Sequence, residues 1–328
     1  GDFSDEEKGH VLDMARSYMT RIGLNRPFII VFLSDGFRWQ FFRVQRDGSD
    51  LTYFEGQVMN EGVEGWELYL GLLMADEAQL GYVMPRIRGV QLTSPLGRGG
   101  SACAYKGLMV DDDSQEVTVV VKVYGEDSSG SLEAEKAALE ELRGVENTPN
   151  IVDVRDLEHS VQGAHGKVLL ATPVGTPVLP VRKGLPVDGT HLKQLVVALQ
   201  KAHEQGFVHR DVKPNNIYLH RDNIILNDWS ASVKATMTDA QWEGTLGYSM
   251  HFSETKYGEL SPSARDLVNL VRCAHSLLFK ESPPTGTPNE AEAYWKKSFR
   301  DGTFWAVAIA HAEAVEYDSL GDTLAQLK

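Results

Sequence analysis

Between Asp5 and Ile22 the apolar residues Val11, Met14, Ala15, Tyr18, Met19 and Ile22 fall at helical spacing, which predicts one amphipathic helix. The period then changes. Two apolar runs, 27–33 and 37–44, flank Ser34-Asp35-Gly36, and Asp-Gly between such runs predicts a hairpin, with a third strand through 51–54. Trp66, Leu68, Tyr69, Leu72 and Leu73 predict a second helix over 65–80.

A second series begins near Val90. Residues 90–95 lead into Leu96-Gly97-Arg98-Gly99-Gly100-Ser101-Ala102, a strand-turn-strand flap whose glycines let backbone approach an anion closely. The apolar strand 117–124 carries one charge, Lys122. After a loop and cap over 128–131, Leu132, Glu135, Leu139 and Leu142 share one helical stripe, which places Glu135 on the buried side. A buried carboxylate needs a partner, and Lys122 is the available cation; Glu133 and Glu140 face elsewhere, with Glu140 the alternative partner in a shifted register. The strand 167–171 runs into Thr172-Pro173-Val174-Gly175-Thr176-Pro177, a hinge-like connector. Leu192, Leu195, Val196, Leu199 and Ala202 mark a helix ending near Gly206. Further on, Leu267, Leu270, Val271, Ala274, Leu277 and Leu278 mark another, with a Pro-rich loop over 281–288 and an apolar segment over 304–315.

Composition narrows the class. With 42% hydrophobic and 24% charged residues the chain can bury a large core, and 32 basic against 46 acidic residues, net −14, disfavour nucleic acid as a partner. Cys103 and Cys273 are too few and too far apart for a disulfide framework or a zinc site, which suits a reducing compartment. The apolar run 28–33 is too short to cross a bilayer, so no membrane association is expected. Because the chain opens on Gly1 rather than Met, a preceding address segment is expected to have been removed.

The chemistry concentrates at His209-Arg210-Asp211-Val212-Lys213-Pro214-Asn215-Asn216, followed by Asp228. Asp211 is a carboxylate able to accept a proton, Lys213 a cation able to hold a phosphate, and Asn216 and Asp228 are oxygen ligands for a hard metal ion. Between them, 217–220 and 224–227 read as two short strands joined tightly, so the hairpin brings Asn216 and Asp228 side by side. This is a phosphoryl-transfer pattern.

In this order, from Val90 to Leu278, the motifs resemble those of the eukaryotic protein kinase family. The resemblance implies an α+β, two-lobed protein-kinase-like fold, with a small β-rich lobe over about 89–172, a large helical lobe over about 176–328, and an N-terminal α/β appendage over 1–88. It implies Asp211 as base, Lys213 and Arg210 beside it, Gly97, Gly99 and Gly100 around phosphate, and Lys122 with Glu135 as its ion-pair partner. Asn216 and Asp228 are the implied metal ligands, with ATP and Mg²⁺, or Mn²⁺ in its place, as cofactors, and adenine against the 172–177 connector. Asp266 is expected to hold the catalytic loop's backbone. Departures from the family are Asp228-Trp229-Ser230 for the usual Asp-Phe-Gly, Ala102 for the third flap glycine, and no Ala-Pro-Glu after Gly244-Thr245-Leu246-Gly247-Tyr248, with Glu254 a loose candidate.

Within the family the connector, the Asp266-Leu267 helix and the compact tail look most like the kinase domains of crinkler-type effectors and related fungal kinases. That implies an intracellular protein, or a secreted effector acting on host proteins in a host cytoplasm or nucleus. The appendage's helix, hairpin, helix order is similar in pattern to the back half of a restriction-endonuclease-like fold, but Glu6-Glu7-Lys8 lies at a helix start rather than on a strand, and reads as solvated charge. The expected activity is Ser/Thr protein phosphorylation, with Lys213-Pro214 favouring protein over small-molecule acceptors; a nucleotide-binding pseudokinase scaffold is the alternative. Autophosphorylation is expected among Ser230, Ser232, Thr236, Thr238 and Thr245, foremost Thr236 or Thr238, where Arg210 can pair with the new phosphate.

Overall fold

The computed structural model describes residues 2–21, 27–47, 50–60, 63–76, 79–81, 84–99, 101–111, 114–158, 164–178, 187–236, 244–245, 247–248, 260–284, 286–300 and 302–327. The chain divides into two compact units, Gly1–Leu92 with Asp156–Gly166, and Thr93–Arg155 with Lys167–Lys328.

The first unit opens with α1 (Asp5–Arg21). Ser4 and Glu7 cap it reciprocally: the Ser4 N–H donates to Glu7 Oε2 (2.8 Å) and the Glu7 N–H to Ser4 Oγ (3.3 Å). Ile22, the last expected position of this helix, lies outside the described residues. Strands β1 (Phe28–Ser34), β2 (Arg38–Asp47), β3 (Asp50–Glu55) and β4 (Met59–Asn60) form an antiparallel sheet in which β2 pairs with each of the others. In the β1–β2 turn, Asp35 Oδ1 accepts the N–H groups of Phe37 and Arg38, and Gly36 takes φ 91°, which fixes the Phe32–Phe41 register. Ala15, Met19, Ile29 and Val44 make the core beneath α1.

Helix α2 (Val63–Met74) is shorter than the helix expected over 65–80. Past Met74 the Asp76 and Gln79 side chains accept each other's backbone N–H groups at 2.8–2.9 Å, and this local turn competes with a continuing helix. Gly65 sits against Trp39, where a Cβ would lie 2.3 Å from the indole ring. Segment 156–166, expected within the small lobe, groups here because Leu157 bridges to Ile87 and the Glu158 N–H donates to Arg86 O (2.8 Å).

The second unit carries a five-stranded sheet of β5 (Val90–Arg98), β6 (Ala102–Val110), β7 (Glu116–Gly125), β8 (Asn150–Asp156) and β9 (Ala164–Thr172), in the order β5-β6-β7-β9-β8. Helix α3 (Ser129–Glu141) packs on β7. Ser129–Ser131, expected as loop and cap, are helical, and Ser128 makes no side-chain cap, because a 3₁₀ turn (Glu126–Ser128) leads directly into the helix.

After β10 (Thr176–Pro177) the chain becomes mainly helical. Asp188 caps α4 (Gly189–Glu204) through the N–H groups of Thr190 and His191. Four short strands follow, β11 (Phe207–Val208), β12 (Ile217–His220), β13 (Asn223–Leu226) and β14 (Val233–Lys234), then α5 (Pro262–Phe279), α6 (Pro288–Ser298), α7 (Phe304–Glu313) and α8 (Tyr317–Leu324). Leu192, Leu195 and Leu199 of α4 meet Leu267, Leu270 and Val271 of α5 in a fully buried core. The sequence pattern did not foretell α6; Thr287 and Glu290 start it with a capping box and Trp295 is buried. The unit is thus α+β, with a β-rich lobe followed by a helical one.

Candidate active site

Chain order places the site at the turns of short strands. β12 pairs with β13 from Ile217↔Leu226 to His220↔Asn223, and the Asn227 N–H donates to Asn216 O (2.8 Å). Asn216 and Asp228 therefore flank the open end of one hairpin, and both line a cleft of about 590 Å³ within the second unit. Gly97, Gly99, Lys122, Asp211 and Lys213 line it too. Gly100, Thr238 and Glu254 lie outside the described residues.

Asp266 organises the loop before this hairpin. Wholly buried on α5, it accepts the backbone N–H groups of His209 (2.6 Å) and Arg210 (2.8 Å), and lies 3.0 Å from His203 Nε2. His209 then sets the next turn: its Nδ1 accepts the Asp211 N–H (3.2 Å), so Nε2 carries the proton and donates to Asn227 O (3.0 Å). Arg210 sits at φ 68° and Asp228 at φ 65°, left-handed backbone that costs a non-glycine residue about 1–3 kcal/mol and is sustained by such surrounding bonds. Arg210 Nε donates to Ala231 O, which directs this guanidinium along the segment after Asp228.

Asp211 is fully coordinated. Oδ1 accepts the N–H and the hydroxyl of Thr245 (both 2.9 Å), and Oδ2 meets Lys213 Nζ (2.6 Å) and Asn216 Nδ2 (3.2 Å). Lys213 Nζ also donates to Thr245 Oγ1 (2.6 Å). Thr245, which the sequence offered as a modification site and as part of the Gly244–Tyr248 stretch, is thus tied to Asp211 and Lys213. Its hydroxyl shows where an alcohol meets this carboxylate.

Lys122 Nζ lies 2.5 Å from Glu135 Oε1 and 3.4 Å from Asp228 Oδ1, joining β7, α3 and the hairpin end. Burial alone would pull the Lys122 ammonium down, but the Glu135 and Asp228 carboxylates outweigh it and hold the group above the ordinary lysine range. Glu135 is 1% exposed and takes a second donor, the hydroxyl of buried Tyr124. The sequence reading passed over Tyr124, although it lies two residues from Lys122 on the same strand face. Tyr124→Phe is expected to cost about 1–3 kcal/mol by leaving a buried carboxylate oxygen short of a donor; urea unfolding checks this, and an unchanged midpoint contradicts it.

Asp228 is held low despite burial, which pushes its carboxyl up; Lys122 first, then the Ser230 hydroxyl at 2.8 Å, bring it down to about 2. A carboxyl depressed from 3.8 to about 2 contributes stability present above the unfolded value and lost as pH falls through the folded one, so the loss belongs to the window between about pH 4 and pH 2. Carboxyl-carbon NMR of Asp228 is expected to show a midpoint below 3.8, and one above it contradicts the assignment. Trp229 is wholly buried, donates from Nε1 to Leu226 O (3.0 Å) and meets the His209 ring edge-on at 4.6 Å, so the indole anchors the residue after Asp228.

The residues suit a nucleoside triphosphate with a divalent ion. Added side chains at Gly97 and Gly99 would meet nothing closer than 3.8 Å, so both positions leave backbone open toward the cleft rather than serving packing. Asn216 and Asp228 are the hard oxygen donors, and no cluster of three or more His, Cys, Asp or Glu able to hold a metal occurs among the described residues. That donor set matches Mg²⁺, which keeps waters and takes one or two protein ligands together with substrate phosphates.

Comparison with known proteins agrees with this geometry. Residues 90–250 match the family model described as the protein kinase domain. The chain is 29% identical over 144 residues to human serine/threonine-protein kinase ULK3, covering 42% of this chain and 30% of that protein. It is 35% identical over 156 residues to serine/threonine-protein kinase Pkn1 of Myxococcus xanthus, covering 45% and 21%, and 25% identical over 214 residues to PrkC of Bacillus subtilis, covering 61% and 32%. The chain thus spans about a third or less of the length of these relatives. Sequence match and two-lobed fold together make residues 90–250 a protein kinase domain, similar to those of serine/threonine kinases.

Proposed function

We propose that the protein is an ATP- and Mg²⁺-dependent kinase that transfers the γ-phosphoryl group to serine or threonine hydroxyls of proteins. The observation that carries this reading is the convergence of Lys122, Asp211, Lys213, Asn216 and Asp228 on one cleft, with Lys122 held by buried Glu135. Asp211 accepts the proton of the acceptor hydroxyl, at the oxygen where it accepts the Thr245 hydroxyl. Lys213 and Lys122 offset charge on the phosphates, and the absence of side chains at Gly97 and Gly99 lets the phosphates approach the flap closely. Asn216 and Asp228 hold the metal, which neutralises phosphate charge when bound. Arg210 is a positioning residue through Asp266 and Ala231.

A nucleotide-binding scaffold is less well supported, because the cleft retains its base, its cations and its metal ligands. Residues 1–88 are proposed as an appendage to a kinase domain over 89–328, with lobes dividing between 172 and 176. The finer likeness of the 172–177 connector to crinkler-type effector kinases supports a protein that acts within a host cell, in cytoplasm or nucleus, on host proteins. Among the described residues no helix is long and apolar enough to cross a membrane. Autophosphorylation is proposed for the segment after Asp228, at Thr236 among the described residues.

Phosphoamino-acid analysis of a generic protein acceptor tests the substrate class. Phosphoserine and phosphothreonine that disappear when Mg²⁺ is chelated are expected. Phosphate confined to a small-molecule acceptor overturns it.

A further inference from the structure

The segment that brings Thr245 to Asp211 is itself held from the helical lobe. Past Thr245 the chain closes a turn, in which the Tyr248 N–H donates to Thr245 O (3.1 Å). Two buried side chains grip the end of that turn by its carbonyls. Trp295 of α6 donates from Nε1 to Gly247 O (2.6 Å), and Arg272 of α5 donates from Nη1 to Tyr248 O (2.6 Å).

Both donors are fixed in direction by their surroundings. Trp295 is 3% exposed; Phe299 stacks on its ring with centroids 5.1 Å apart, and His275 meets it edge-on at 5.6 Å. Arg272 is buried too, and its guanidinium lies 5.8 Å from the centroid of the same indole. Sterics restrict the turn as well. Gly247 takes φ 100°, and a Cβ there would come within 3.0 Å of Pro283 Cγ and 3.2 Å of Pro284 O, in the loop between α5 and α6. The Tyr248 ring is buried beside Trp295, with centroids 6.4 Å apart.

The turn is thus a short bridge. At one end Thr245 is bonded to Asp211 and Lys213, and at the other the backbone is bonded to Trp295 and Arg272. The Lys122–Glu135–Asp228 cluster takes part in none of these bonds. Misplacement by about 1 Å can cost about 10²-fold in rate at a reacting centre, so a grip remote from the base has leverage on transfer.

Resting on the kinase reading above, we infer that Trp295 and Arg272 are positioning residues for the protein acceptor: by gripping the Gly247 and Tyr248 carbonyls they hold Thr245 against Asp211, and so set where the acceptor hydroxyl meets the base.

Transfer from ATP to dephosphorylated casein by the full chain tests this, alongside calorimetric titration with a non-hydrolysable ATP analogue and Mg²⁺. Trp295→Phe keeps a ring without the N–H, and Arg272→Met keeps length without the donors. Each is expected to lower kcat/KM for casein by about 10-fold, the effect of one lost hydrogen bond to a buried carbonyl, while the nucleotide's Kd stays within about 3-fold of wild type. Arg272→Lys retains a donor and is expected to keep more turnover than Arg272→Met. Gly247→Ala strains the turn from its own side and is expected to give the same split between acceptor and nucleotide. Folded Trp295→Phe and Arg272→Met variants with unchanged kcat/KM for casein overturn the inference and leave the kinase reading standing. So does a nucleotide affinity that falls as far as the turnover, the mark of general loosening. Absence of label on casein and on the chain itself with wild type overturns both. Should Trp295→Phe fail to fold, Gly247→Ala and the two Arg272 variants decide.

Discussion

Asp211→Asn is expected to lower kcat by about 10²–10⁴-fold, the usual contribution of a positioned general base, while the nucleotide's Kd changes little. The separation follows from the geometry. Asp211 contacts Lys213, Asn216 and Thr245, and the Lys122–Glu135–Asp228 cluster is a distinct set of bonds. An amide at 211 keeps the size and one acceptor but cannot take a proton, and its NH₂ group faces donors that now lack a partner. Single-turnover transfer and nucleotide titration on the same variant read the two effects independently. Equal transfer rates for variant and wild type contradict the role of Asp211 as base.

The second large effect is structural and acts through the catalytic loop. Asp266→Asn presents an NH₂ group where two backbone N–H groups and the His203 imidazole converge on one wholly buried carboxylate. Bonds to a charged acceptor contribute about 1.5–3 kcal/mol each, and an amide whose oxygen keeps His209 and His203 loses the Arg210 bond, a cost of about 1.5–3 kcal/mol. A lower thermal midpoint is expected, together with reduced transfer, because Arg210 loses the bond that helps hold it at φ 68°. Unchanged stability and turnover contradict the proposed anchoring by α5.

How much of this could be read in the sequence depends on the range of each interaction. The Lys122–Glu135 pair was legible because a charge inside an apolar strand and a carboxylate on a helix's apolar stripe each need a partner. The spacing of Asn216 and Asp228 was legible because a hairpin is a local object. The second partner of the cation, Asp228, and the Tyr124 hydroxyl on Glu135 were harder to see: one joins positions 106 residues apart, and the other hides in a strand that reads as largely apolar. Thr245 was missed as a partner of Asp211 for the same reason, at a separation of 34 positions.

Element ends show the same limit. Helix α2 stops at Met74 because Asp76 and Gln79 close a turn, an outcome that apolar periodicity does not encode. Helix α6 went unseen because proline near its start resembles loop chemistry, whereas Thr287 and Glu290 use it to begin a helix. The grouping of 156–166 with the first unit rests on bonds to Arg86 and Ile87, residues far back in the chain.

This cleft is proposed to move a phosphoryl group. Incubation of the wild-type chain with γ-labelled ATP, Mg²⁺ and a generic protein acceptor, with Asp211→Asn alongside, tests it most directly. Label is expected on the acceptor's serine or threonine residues, or on the chain itself, with wild type and little with the variant. Equal background label in both, with nucleotide binding intact, would contradict it.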